Sequence, residues 1–160
     1  MDKLDFAWGL YQSERDFIKH HENQRTNASS ILAAIYAALV VAIGTGTADG
    51  WLQVVISIVL TLVGVYGTIF SGKLYELIQM HAARSYEYLD FVNSCFPEID
   101  VSEVKAKVKV GQAKKYPYFS TRSLNKIWFR FHLSVAGLGA VITIVLITQQ
   151  LGLWSLVLKP

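Results

Sequence analysis

The stretch WLQVVISIVLTLVGVYGTIFSG, residues 51–72, decides the fold class. It carries no Asp, Glu, Lys or Arg, and placed on a helix it is apolar nearly all round. A helix packed into a soluble core keeps a polar face toward water, and this one has none. In a helix the stretch reaches about 33 Å, the thickness of a bilayer's hydrocarbon core. It therefore reads as a membrane span rather than as a buried helix of a soluble bundle.

The same arithmetic extends outward. Charge-free windows cover residues 26–48, 50–72 and 131–158, of 23, 23 and 28 residues. They explain a composition that is 52% hydrophobic and only 17% charged, against about a quarter charged in soluble chains. The predicted order begins with a cytoplasmic N-terminal helix (1–27), span one (28–47), a tight external turn at TADG and span two (51–72). A cytoplasmic helix continuous with span two (73–96), a basic cytoplasmic segment (97–126), span three (127–149) and an external tail (150–160) follow. The fold class is an all-α integral membrane protein with three transmembrane helices. A cytoplasmic two-helix antiparallel stalk continues from spans one and two. The first window is not a signal peptide, because it starts late, follows acidic as well as basic residues and leads at once into a second span. No proline interrupts residues 51–96, and Pro97 stops the helix. DVSE at 100–103 is a capping-box pattern that opens a short helix, although VKAKVKV also alternates as a strand would.

Basic residues set the orientation. Of fifteen, four precede span one (Lys3, Arg15, Lys19, Arg25), ten lie within residues 73–130 and only Lys159 falls in the tail. Cytoplasmic segments carry such an excess, so the N-terminus is expected inside and the C-terminus outside. The isoelectric point near 9.0 then reflects topology and attraction to anionic lipid, and nucleic acid is not an expected partner. The single cysteine, Cys95, excludes an internal disulfide framework and reads as a small packing residue.

Helical positions sharpen the stalk. On the first helix Leu4, Phe6, Ala7, Trp8, Leu10, Tyr11, Phe17 and Ile18 share a broad apolar arc, into which Glu14, His21 and Arg25 intrude. On the second, Leu74, Leu77, Ile78, Met80, Tyr88, Leu89, Phe91 and Val92 form the arc, with His81 and Arg84 as intruders. A buried charge needs a partner. Glu14 and Arg84 lie at nearly equal heights from the apolar windows, so they are expected to pair, within one protomer or between neighbours. His21 is expected to approach His81. These five residues make a predicted buried polar layer, with solvated side chains on a loose stalk as the alternative.

Chemistry is sparse. The four histidines show no metal-ligand spacing, and no metal or cofactor is expected. RDFIKH at 15–20 fits a short arginine–histidine ribonuclease pattern that is common by chance. No phosphate loop, nucleophile elbow or carboxylate pair occurs, so the chain is not expected to be an enzyme. Small residues recur at four-residue spacing, a pattern that permits close helix contact within or between subunits. They are Ala34, Ala38 and Ala42 on span one, Gly64, Thr68 and Gly72 on span two, and Ala136 and Ala140 on span three. Lys105, Lys107, Lys109, Lys114 and Lys115 form a basic patch suited to lipid headgroups or to a docking partner. YPYF with Trp128, Phe129 and Phe131 reads as an aromatic belt at a membrane interface.

LYQSERDFIKHHENQRTNASSILAAI (10–35) leads into two apolar windows, and KLYELIQMHAARSYEYLDFVNSCFPEI (73–99) follows them. A basic segment, YPYFSTRSLNKIWF (116–129) and a third window complete the chain. This order resembles the RipA-like family of small octameric bacterial membrane proteins, related to the membrane accessory protein of type VI CRISPR systems. It is more distantly similar to SLATT-type membrane effectors. The resemblance implies a homo-oligomeric ring in the bacterial inner membrane, a pore or membrane-perturbing effector in antiphage defence, and a possible soluble defence protein as partner. In such a ring Ser57, Thr61, Thr68, Ser71 and Thr143 are the candidate pore-lining residues. The alternative function is a non-conducting membrane anchor that recruits or regulates a soluble partner through its basic segment.

Overall fold

A computed structural model of the chain describes residues 2–45, 49–96, 101–117 and 124–153. The described residues are almost wholly helical and contain no strand. In chain order they form α1 (Lys3–Gly44), α2 (Gly50–Ser94), α3 (Val101–Lys115) and α4 (Leu124–Gln150). Three of these, α1, α2 and α4, are long and apolar enough to cross a membrane. VKAKVKV is helical, lying within α3, which settles its alternation against a strand. Asp100 and the second half of the YPYF motif lie outside the described residues.

Local chemistry sets the ends. Asp49 caps α2, its Oδ1 accepting from Leu52 N at 2.8 Å, which satisfies one orphan donor of the first turn. α2 closes at Ser94, ahead of Pro97, with Cys95 N donating to Val92 O at 3.1 Å and Phe96 N to Asn93 O at 3.0 Å. Gly152 ends α4 in the left-handed region at φ 67°. There Gly152 N donates to Gln149 O and Leu153 N to Thr148 O, each at 3.1 Å. This is the paired hydrogen-bond pattern of a glycine-terminated helix.

The chain divides into two compact units. The first comprises residues 1–25 and 73–126. Its α1 and α2 segments run antiparallel: Leu4 and Trp8 share a groove with Val92 and Phe96, while Glu14 reaches His81. Buried and half-buried positions follow 7, 11, 14, 18, 21, 25 on α1 and 74, 78, 81, 85, 88, 92 on α2. Alternating steps of four and three make a heptad seam, the geometry of interdigitating helices. The seam is narrower than the predicted arcs, so Phe6, Trp8, Phe17, Met80 and Phe91 remain exposed. Cys95 is exposed as well, rather than packed.

The second unit comprises residues 26–72 and 127–160. Leu32, Tyr36 and Leu60 form its core, with Leu39, Ile43, Val63 and Val135 packed against them. α2 and α4 run antiparallel in one constant register. A Cβ built on Gly64 would meet Ala136 N at 2.6 Å, and one on Gly139 would meet Thr61 N at 2.8 Å. Thr143 bonds Ser57, and Gly50 lies against Gln150. Only small side chains let two backbones come this close. Outside this contact the unit is covered by apolar side chains, among them Ile31, Val41, Leu62, Ile69, Val141 and Ile144.

Candidate functional site

Two polar clusters are built into these helices, one in each unit. In the first, His81 on α2 inserts between side chains of α1. Its Nδ1 donates to Glu14 Oε2 at 2.5 Å, because a carboxylate can only accept. Its ring stacks on Phe17 at 5.0 Å and on His21 at 5.3 Å. His21 Nδ1 in turn donates to Gln24 Oε1 at 3.0 Å. Positions 14, 17, 18 and 21 are the four corners of a hole on a helix surface, and His81 is the knob that fills it. A polar knob with one matched acceptor favours a single register, since a slip by one turn strands both groups.

Of the predicted polar layer, the structure brings together Glu14, His81 and His21. Arg84 is exposed and does not meet Glu14. The reason is angular: the seam runs through His81 and Ser85, and position 84 lies 100° away from Ser85 around the helix. Arg25 lies on the α1 seam, 5% exposed, with its Nε lacking any hydrogen-bond partner.

The second cluster centres on His132 of α4, which is fully buried. Its Nδ1 lies 2.8 Å from Tyr36 Oη and its Nε2 3.2 Å from Ser29 Oγ, both on α1. Tyr36 Oη also donates to Val63 O of α2 at 3.3 Å. One chain of donors satisfies all of them: Ser29 to Nε2, Nδ1–H to Tyr36, and Tyr36 to Val63 O. Three helices are thereby tied at one level. Gly67 makes room, since a Cβ there would lie 2.6 Å from Tyr36 Oη and 2.7 Å from His132 Nδ1. Trp128 stacks on the imidazole at 6.3 Å. Residue-by-residue reading of the spans for Asp, Glu, Lys and Arg passes over this cluster. The signal was the presence of Ser29, Tyr36 and His132 inside otherwise apolar windows.

The candidate pore-lining residues turn inward. Ser57, Thr68 and Ser71 are buried, and Thr61 and Thr143 are half-buried. Thr61 donates to Ser57 O at 2.9 Å, Thr68 to Gly64 O at 2.9 Å and Ser57 to Val54 O at 2.8 Å. Thr143 Oγ1 lies 2.8 Å from both Ser57 Oγ and Gly139 O. In Ser57, Thr61, Thr68 and Thr143 the hydroxyl is satisfied by its own helix and behaves as a small side chain, serving helix contact within the protomer, whereas Ser71 Oγ is buried with no hydrogen-bond partner. Among the predicted small contact residues, Gly64 and Ala136 take that part, while Ala140 is half-buried and lines a groove with Ile58, Leu62 and Ile144. Ala34 and Ala38 are exposed and Ala42 is half-buried. The α1 seam passes through Leu32 and Tyr36, and Ala34 lies 200° from either. Nothing approaches a Cβ built on Gly72.

On α3, Lys105, Lys107, Lys109, Lys114 and Lys115 are all exposed. Lys107 pairs with Glu103 at 2.7 Å, and Lys105 lies 4.7 Å over the Tyr86 ring. Among the described residues no group of three His, Cys, Asp or Glu could hold a metal ion. Comparison of the chain with known family models, characterised proteins and solved structures finds no match.

Proposed function

We propose that the chain is an inner-membrane protein that self-assembles and acts on membrane integrity in antiphage defence. The observation that carries this reading is where large apolar side chains are exposed. In the second unit they cover the outside while the imidazole and hydroxyls are inside, an arrangement suited to hydrocarbon rather than water. Exposure continues beyond the charge-free windows, at Phe6, Trp8, Phe17, Met80, Tyr86 and Phe91. Lipid does not account for these, and a second copy of the chain does. The inward hydroxyls favour membrane perturbation by the assembly over a hydroxyl-lined pore. The RipA-like resemblance supports the octameric ring and the defence role. Alkaline carbonate extraction tests insertion, and native mass in mild detergent tests assembly. A mass near eight times 17.9 kDa, with depolarisation on expression, is the expected result; a monomer without depolarisation sinks it.

The exposed lysines of α3 favour a second reading, a non-conducting anchor for a soluble partner. Reversing the charge of Lys105, Lys107 and Lys109 then abolishes function, whereas membrane perturbation by the assembly survives it.

A further inference from the structure

We infer that the first unit carries a proton-sensitive latch. Acid places a second positive charge in the histidine contact between α1 and α2, where one carboxylate balances only one, and the seam loosens. His81 and His21 lie face to face at 5.3 Å, and His20 sits edge-on to His21 at 5.7 Å. Glu14 meets His81 Nδ1 at 2.5 Å, and the side chains of His81 and Glu14 are only 11% and 12% exposed. His21 bonds instead to the neutral amide of Gln24. The other charges around the contact are mostly positive. Arg25 lies one turn beyond His21 on the α1 seam and is buried. Arg84 follows His81 on α2 by three residues, and Lys105 of α3 sits over Tyr86, two residues further on. Glu22 adjoins His21 in sequence but lies 100° around the helix and has an interaction of its own. Tyr11 and Tyr88 also line the seam, and phenols ordinarily titrate only at about pH 10.

The sign follows from counting protons. Imidazoles ordinarily charge at about pH 6.5. A first proton on the pair is welcome, because a charged His81 still donates to Glu14 and now attracts it as well. A second, on His21, faces the cationic ring of His81 across 5.3 Å and has Arg25 a turn away, in a contact screened from water. The unfolded chain takes that second proton freely. It therefore binds more protons than the folded seam does, and stability falls as the pH falls. The latch needs only the first unit and does not depend on the membrane reading. On that reading, proton entry through a perturbed membrane reaches the stalk.

The test follows amide hydrogen exchange of residues 14–21 in the full chain in mild detergent, corrected for the intrinsic pH dependence of exchange. Between about pH 6.5 and about pH 5.5, wild-type protection should fall several-fold, and by no more than about tenfold, the limit for one proton per pH unit. His21→Gln cannot take the second proton, so its protection should hold or rise. His20→Gln, at the exposed ring, should keep most of the wild-type response. His132 is present in every variant and cannot account for a difference between them. A wild type whose protection is flat over this range overturns the proposal, as does a His21→Gln variant that falls like wild type. Glu22→Gln is expected to follow the wild type; a much steeper fall would make Glu22 the counter-charge of His21 and overturn the proposal too. Should His21→Gln not fold, His21→Phe keeps a ring against His81 and takes its place in the same comparison.

Discussion

At the residue scale, the sharpest consequences fall on glycines that hold two helices together. Gly67→Ala drives a methyl against Tyr36 Oη and His132 Nδ1, and both belong to a network with no slack. We expect a loss of about 1–3 kcal/mol, the usual cost of overpacking, read as a lower unfolding midpoint in detergent. Gly137→Ala, where nothing lies within 4 Å, should leave the midpoint unchanged. Tyr36→Phe keeps the ring and removes the hydroxyl that links His132 to Val63 O. Its expected cost is smaller, about 0.6 kcal/mol and at most about 1.7, the range for hydrogen bonds between membrane helices. A Tyr36→Phe effect larger than that of Gly67→Ala would mean that polarity rather than close packing holds the unit.

At the scale of elements, the heptad seam of α1 and α2 explains why one polar knob is tolerated. His81 is accepted because Glu14 meets it and Phe17 and His21 cover its faces. Glu14→Ala leaves His81 without its acceptor, and about 1–3 kcal/mol should be lost. Replacing both, as Glu14→Leu with His81→Leu, should recover most of that in chemical denaturation, since a well-packed apolar pair can match a buried polar one. The recovery should come with looser register, visible as new cysteine cross-links between neighbouring turns. Arg84→Gln, on the exposed side, should stay within about 0.5 kcal/mol of wild type. A large effect there would place Arg84 at an interface between copies.

At the scale of the whole molecule, exposure of aromatic side chains in the first unit has a measurable consequence. Phe6→Ser with Trp8→Ser removes two exposed rings and touches neither polar cluster. The native mass is expected to fall by whole chains while helix content by circular dichroism is retained. An unchanged mass would move the contact between copies away from this end of α1. The exposed Ala34 and Ala38 on α1 offer a separate comparison, because Ala34→Trp should disturb assembly only if the apolar face of that helix meets another copy.

Much of the architecture was legible before any coordinates. Window lengths near 23 residues and the absence of proline from 51 to 96 are local properties. Local composition decides helix formation and the preference for an apolar environment. What only the tertiary structure decided was rotation and register. Outward-facing and neighbour-facing sides are both apolar in these helices, so no stripe marks the packed one. The sequence therefore could not say that Ser57, Thr61 and Thr143 meet along the α2–α4 contact while Ala34 and Ala38 face outward. Nor could it choose His81 over Arg84 for Glu14, because that choice turns on about 60° of rotation around one helix, which composition leaves free and close packing does not.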